Sequence, residues 1–223
     1  MSEPSPRYRA RRCTSAGCGL RFPVAQPSTL GERCPLCGEP TERVDEGYAT
    51  HGAPAAEPGP APVRLEALLD NVRSLSNVGS MFRTADGAGV EHLYLGGITP
   101  GPEHPKLAKT ALGAEGSVPW SRHPDACALA AELRIRGRRL WALEGGPRSV
   151  SLFDPRVREA VAQAREAEDP VVVVLGHEVS GVDPRIVDQC EHVLHLPMMG
   201  LKDSLNVSVT LGVAAYLLRF GAQ

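Results

Sequence analysis

The sequence predicts an α/β fold with a largely parallel sheet, preceded by a small unit that needs a metal to hold it. Three observations carry this. Over residues 63–223 the apolar positions switch repeatedly between helical and strand spacing. Four consecutive valines at 171–174 mark a strand buried on both faces. Four of the six cysteines, Cys13, Cys18, Cys34 and Cys37, crowd into the first 50 residues, close to the size below which a chain needs a staple. Between the two parts, residues 51–62 read HGAPAAEPGPAP, with four prolines and no large apolar side chain. Such a stretch cannot bury enough surface to fold, and its prolines keep it extended, so a semi-rigid linker is expected. The predicted organisation is a metal-binding unit (1–50), a linker (51–62) and an α/β domain (63–223).

The first 21 residues carry Arg7, Arg9, Arg11, Arg12 and Arg21 against Glu3, a local charge of +4. Two readings stand side by side: a solvated, frayed terminus, or a basic N-terminal arm that contacts phosphates. The cysteines follow as C-x4-C, 15 residues, then C-x2-C. Each pair lies on a loop short enough to place two thiolates on one ion, and Gly19 and Gly38 let the backbone turn tightly behind them. Four thiolates satisfy tetrahedral zinc and leave no open position, which makes the metal structural, as in a zinc ribbon. The competing readings are two disulfides or unlinked thiols. No apolar stretch follows the N-terminal arginines, so no signal peptide is expected, and this disfavours disulfides.

In the second part, 65–70 reads as a strand. Apolar residues at 78, 81, 82, 85 and 88 define a helix over 78–89, with Asn77 placed to cap it. A strand at 90–95 leads into a Gly/Pro-rich loop. Then come a helix at 124–136, a strand at 139–143, a helix at 155–167 and the valine strand at 170–175. Asp183-Pro184 is a helix start. A strand at 192–196 and a closing helix at 205–220 follow, with Ser204 placed to cap the helix. Ligands of such sheets sit in loops beyond the carboxyl ends of the strands. Three unusual loops occupy those places.

The first loop, NVRSLSNVGSMFRTADGAG (71–89), carries Asn77 and Arg83. An arginine among apolar helix positions is costly unless something negative faces it, whereas a surface arginine is the commoner fate. The second, LGHEVSG (175–181), holds Glu178 between two glycines. Taken alone it is an ordinary Gly-rich strand-to-helix turn. The third, LPMMGLKDSLNVSV (196–209), contains Asn206 and Ser208, weak helix formers at a helix start.

Composition sets outer bounds. The chain has 223 residues, 42% hydrophobic and 22% charged, the balance of a globular protein. No apolar run approaches the roughly 18 residues of a membrane span. A cytoplasmic protein is therefore expected. The formal net charge of -2 does not announce a nucleic-acid binder.

Taken together, the three loops resemble the motifs of the SpoU/TrmH family of RNA ribose methyltransferases, within the SPOUT superfamily. Asn77, Gly79, Arg83, Ala85 and Gly89 match the first motif. Leu175, Gly176, Glu178 and Gly181 match the second. Pro197, Met198, Gly200 and Ser204 to Val209 match the third. The similarity covers 63–223 and leaves out the cysteine-bearing part. It implies an α/β fold closed by a deep C-terminal trefoil knot, S-adenosylmethionine bound at Gly176, Leu196, Met198 and Leu205, and a homodimer. It also implies a catalytic set of Arg83, Asn77, Glu178, Ser204 and Asn206. The segment Lys109 to Glu115 looks like a subfamily feature without a role. His177 and Val179 stand where the family often has small residues.

Methyl transfer to a ribose 2′-oxygen is an in-line displacement in which the cofactor supplies the electrophile. The protein positions the hydroxyl and helps remove its proton. The resemblance gives that proton-removing role to Arg83. Because guanidinium groups stay protonated, the more conservative expectation is that Arg83 stabilises the developing alkoxide or fixes an adjacent phosphate, and both readings stand at this point. Glu178 is expected to organise its loop. The favoured reading is 2′-O-methylation of tRNA or rRNA. The alternatives are a non-catalytic RNA-binding protein on this fold, a SPOUT base methyltransferase, and a zinc-ribbon regulator that binds DNA or protein.

Overall fold

The computed structural model describes residues 7–49 and 63–221. These fall into two compact units, one on each side of the 51–62 stretch. The expected linker itself lies outside the described residues.

The first unit is an antiparallel sheet of β1 (Arg7–Cys13), β2 (Arg21–Gln26), β3 (Thr41–Arg43) and β4 (Tyr48–Ala49). Strands β2, β3 and β4 all pair with β1, which is therefore central. The arginine-rich segment from Arg7 onward is thus neither frayed nor a free arm. Its backbone is engaged on both edges, a long-range pairing that local composition does not reveal.

The second unit contains β5 (Leu65–Asp70), α1 (Leu75–Ala88), β6 (His92–Gly96), α2 (Ala108–Ala111), β7 (Trp120–His123), α3 (Ala126–Ile135) and β8 (Arg139–Leu143). It continues with β9 (Val150–Ser151), α4 (Pro155–Glu166), β10 (Val171–Leu175), α5 (Pro184–Val187), β11 (His192–His195) and α6 (Val207–Phe220). Its seven strands form one sheet, in the order β7-β6-β5-β10-β8-β11-β9, and every pair is parallel. The valine strand β10 lies at the centre and is buried along its whole length. Odd positions of β5 and β10 pack with Phe82 and Met81 of α1, Leu211 and Leu218 of α6 and Val157 of α4. The even positions Leu68, Val172 and Val174 pack with Leu129 and Leu133 of α3 and Ile186 of α5. This two-sided burial is why the strands read as continuous apolar runs.

Two helix starts differ from expectation. Ser74, not Asn77, caps α1, its hydroxyl accepting from the Asn77 N–H at 3.3 Å. Asn206, not Ser204, caps α6, its Oδ1 accepting from the Ser208 N–H at 2.9 Å. Both shifts free a side chain for the site. The C-terminus of α1 is closed by Gly89 in the left-handed region, φ 68°. Strand β7 escapes sequence reading because it is a short polar edge strand, paired only with β6.

Candidate active site and metal centre

Beyond the carboxyl ends of β8, β10 and β11 lies an open cleft of about 750 Å³. Residues 144–146, the 176–181 loop and the segment after β11 wall it. Its size lies within the usual range for small-molecule sites, about 300–1,000 Å³. Leu143, Leu175, Leu194, Leu196 and Leu205 supply apolar walls, and Glu144, Glu178 and Asp203 supply carboxylates. Among the described residues no lysine or arginine lines it, and the rings of His177 and His195 complete its polar lining, so the cleft suits a ligand with apolar surface and positive charge.

The 176–181 loop is held from both sides. His177 and Gly181 exchange backbone hydrogen bonds of 3.1 and 2.9 Å. Gly181 adopts φ 72°, and a Cβ there would overlap the Glu144 carboxylate. A Cβ on Gly176 would overlap the backbone of Gly181 and Val182. That is a steric demand for glycine where the strand ends. Glu144 Oε2 accepts from the Val182 N–H at 2.8 Å, and the buried Asp70 accepts from the Asp183 N–H at 2.9 Å.

Glu178 ties this loop to the start of α1. Its Oε2 accepts from the Arg73 N–H at 3.0 Å, and its Oε1 from the Ser74 N–H at 2.9 Å and the Asn77 amide at 3.0 Å. Partial burial pushes its pKa up, but the N–H groups of Arg73, Glu178 itself and Ser74, together with the Asn77 amide, outweigh this and hold it at about 2. Since Asn77 donates to a carboxylate, its Oδ1 is left to accept, and it accepts from Asn206 Nδ2 at 3.0 Å. Asn206 in turn caps α6. One hydrogen-bonded chain, Glu178–Asn77–Asn206, therefore joins all three motif loops.

Gly176, Leu196, Ser204 and Leu205 line the cleft, as do Glu178 and Asn206. Asn77 adjoins through its two hydrogen bonds. Met198 does not line it. Arg83 is exposed on α1 rather than set among apolar side chains, without a carboxylate partner among the described residues. Gly79 has a separate duty: a Cβ there would overlap Thr110, so this glycine lets α2 close against α1. Sequence reasoning missed Glu144, Asp70 and Asp203. Glu144 was findable, because an acid followed by Gly145-Gly146 just past a strand end obeys the same rule as the recognised loops.

In the first unit, the sulfurs of Cys13, Cys18, Cys34 and Cys37 all lie within 4.8 Å of one another. Cys13 and Cys37 are 3.5 Å apart, and Cys18 and Cys34 3.7 Å. Zinc–sulfur bonds of about 2.3 Å give a tetrahedron with edges of about 3.8 Å, so the donor set fits. Gly19 (φ 58°) and Gly38 (φ 76°) make the expected tight turns. The thiols of the set shift in opposite directions: burial pushes Cys13 up to about 12, whereas at Cys34 the N–H groups of Cys37 and Leu36 outweigh burial and bring it down to about 7. The fit to a metal therefore rests on the spacing of the sulfurs.

A parallel α/β sheet with a cleft walled by the second and third of these loops, and tied to the first through Asn77, defines a class. The chain belongs to the SpoU rRNA Methylase family, whose model matches residues 64–216. Among curated proteins, the 23S rRNA (guanosine(2553)-2'-O)-methyltransferase RlmP of Bacillus subtilis is 29% identical over 161 residues, covering 71% of this chain and 59% of that protein. The tRNA (guanosine(18)-2'-O)-methyltransferase of Aquifex aeolicus is 31% identical over 156 residues, covering 68% and 67%. The chain thus spans little more than half the length of RlmP. The crystal structure of the A. aeolicus TrmH/SpoU tRNA modifying enzyme superimposes with a TM-score of 0.59 at 28% identity, over 70% of this chain and 76% of that one. The SpoU methyltransferase AviRb from Streptomyces viridochromogenes, in complex with AdoMet, shares the fold with a TM-score of 0.59 at 22% identity, over 71% and 60%. No helix among the described residues is long and apolar enough to cross a membrane.

Proposed function

We propose that this chain methylates a ribose 2′-hydroxyl of tRNA or rRNA in the cytoplasm, with S-adenosylmethionine as donor. The observation that carries the proposal is the cleft itself: apolar, acidic, without lysine or arginine among the described residues, and walled by the loops that match the family's second and third motifs. When bound, the cofactor supplies an electrophilic methyl on a sulfonium. Its positive charge matches the field of Glu144, Glu178 and Asp203. Gly176, Leu196 and Leu205 hold it through backbone groups and apolar contact.

Glu178 is a positioning residue. A carboxylate held at about 2 is a poor proton acceptor at neutral pH, and its oxygens are spent on the start of α1. Asn77 and Asn206 transmit that order to the third loop, and Ser204 faces the cleft to orient substrate or cofactor. Arg83 stands outside the cleft, where it meets the RNA and stabilises negative charge at the 2′-oxygen or an adjacent phosphate. Residues 196–206 return the chain from β11 to α6 along the wall of the cleft, consistent with a trefoil knot there. A second copy packs along α6, where Val209, Tyr216 and Phe220 form one exposed apolar stripe. Residues 1–50 form a structural zinc ribbon on Cys13, Cys18, Cys34 and Cys37, joined by the 51–62 linker to the methyltransferase domain.

The test is a map of 2′-O-methyl sites in stable RNA from cells with and without the gene, beside nucleoside mass spectrometry of RNA treated with the purified protein and S-adenosylmethionine. A ribose methyl that depends on the gene is expected. A methylated base in its place, or no change in any stable RNA, refutes the proposal.

A further inference from the structure

In the second unit most arginines are neutralised by a neighbour: Arg64, Arg122, Arg138, Arg139, Arg148 and Arg185, for example, each sit against a carboxylate. The first unit is built differently. Among its described residues the only arginine–carboxylate contact is Arg21 with Asp45, at 3.7 Å.

The sheet register sorts the rest by face. Side chains alternate along β1, and directly paired residues share a face. Arg7, Arg9 and Arg11 therefore lie on one face of the sheet. Arg43, paired with Arg11, joins them. The other strand positions on that face are Cys13, Phe22, Val24, Gln26, Thr41 and Ala49, and none is a carboxylate. The opposite face is balanced: Arg12 pairs with Arg21 and Glu42, and Asp45 accepts from the Ala10 N–H at 2.9 Å and lies near Arg21. One side of the sheet thus concentrates four guanidinium groups with no carboxylate among its strand positions, three of them at steps of about 6.8 Å along β1.

A second observation points the same way. Among the described residues, Arg9 Nε is the one buried side-chain nitrogen or oxygen without a hydrogen-bond partner. Leaving such a donor unpaired is costly. The two Nη groups of the same guanidinium make no hydrogen bond among the described residues and are not buried, so they, rather than Nε, can meet an incoming acceptor.

We infer that the Arg7–Arg9–Arg11–Arg43 face of the ribbon binds the phosphate backbone of RNA. Charge complementarity selects a polyanion, and the choice of RNA rests on the RNA-modifying reading above. Arg11 also braces the fold by donating to Thr41 Oγ1 and the Thr41 carbonyl, at 2.7 and 2.8 Å. Arg7, Arg9 and Arg43 make no such bond among the described residues and are left for phosphates. Contacts of this kind fix affinity and register without reading sequence, so the ribbon serves capture while the cleft selects the ribose.

The test uses the full-length, zinc-loaded protein and a fluorescein-labelled oligoribonucleotide of mixed sequence, with affinity followed by anisotropy over a range of salt. Replacing all three free arginines (Arg7→Gln, Arg9→Gln, Arg43→Gln) should weaken binding by about tenfold or more at low salt. It should also flatten the plot of log affinity against log salt by about 2, at roughly 0.7 per phosphate of single-stranded RNA. Zinc content and melting temperature should match the wild type, which separates lost contacts from lost fold. Singly, Arg9→Gln should lower affinity more than Arg12→Gln, the same charge change on the opposite face. Equal losses from those two, or an unchanged salt slope in the triple variant, overturn the proposal; the second result favours an acidic protein as the ribbon's partner. Methyl transfer is read separately. A wild type that shows the arginine-dependent slope but transfers no methyl leaves this surface standing and removes the methyltransferase reading. A wild type that methylates RNA while the triple variant binds it normally removes this surface alone.

Discussion

Replacing Glu178 by glutamine keeps the outline of the side chain and removes its charge. In the protein both carboxylate oxygens accept, Oε2 from Arg73 and Oε1 from Ser74 and Asn77. Glutamine offers one carbonyl oxygen and an NH2 group that only donates, so either the Arg73 or the Ser74 N–H must face a donor. Orphaning such a group costs about 1–3 kcal/mol. Glu178 is exposed, so water relieves part of this, and the lower part of the range, about 1–2 kcal/mol, applies. For a domain of this size that lowers the melting temperature by about 2–8 °C. Thermal melting and isothermal titration with S-adenosylmethionine are the assays. Cofactor affinity should fall too, because the 176–181 loop loses its anchor to α1. Acid provides a second readout. The folded protein holds Glu178 at about 2, below the ordinary 4.5. Its ionised form therefore stabilises the fold fully above pH 4.5, and that contribution is lost as the pH falls towards 2. The difference in melting temperature between wild type and Glu178→Gln should shrink across that window. Identical melting and cofactor binding at neutral pH, or a difference that persists in acid, refutes the clamp.

Arg83→Ala should leave cofactor affinity intact, since Arg83 does not line the cleft, and should slow methyl transfer a hundredfold or more, a loss of about 3–4 kcal/mol. Wild-type turnover with labelled S-adenosylmethionine would remove Arg83 from the reaction. Gly176→Ala forces a methyl into the backbone of Gly181 and Val182. It should abolish cofactor binding by titration and destabilise the fold by about 1–3 kcal/mol. Chelation of zinc, or Cys37→Ser, should unfold residues 7–49, seen as lost strand signal in circular dichroism, while cofactor titration stays unchanged. A circular dichroism spectrum that ignores chelators would count against a structural metal. Tyr216→Glu places a charge in the exposed α6 stripe and should convert a dimer to a monomer in analytical ultracentrifugation.

Much of the architecture was legible because its signals are local. The valine run, the apolar periods and the Asp183-Pro184 start depend on neighbours in the chain, and each corresponds to an element of the structure. The gathering of the four cysteines was legible for the same reason: spacing within a short loop limits where two thiols can go. The caps were misread by two or three residues. Ser74 and Asn77 are both capping residues by type, and nothing local says which one is wanted elsewhere.

What the sequence determined alone was the order of the longer helices and strands of the second unit, without α2, β7 and β9, together with the parallel sheet and the three loops at strand ends. What only tertiary structure decided was how those loops share their groups. Glu178 meets the Arg73 and Ser74 N–H groups across more than a hundred residues of chain, and Asn206 meets Asn77 across still more. The registers of β1 with β2 and β3 decided, in the same way, that four arginines would share a face while the other face stayed balanced. Periodicity records which side of an element faces the core. It carries no record of which polar group lies opposite, because that depends on pairings between segments remote in the chain.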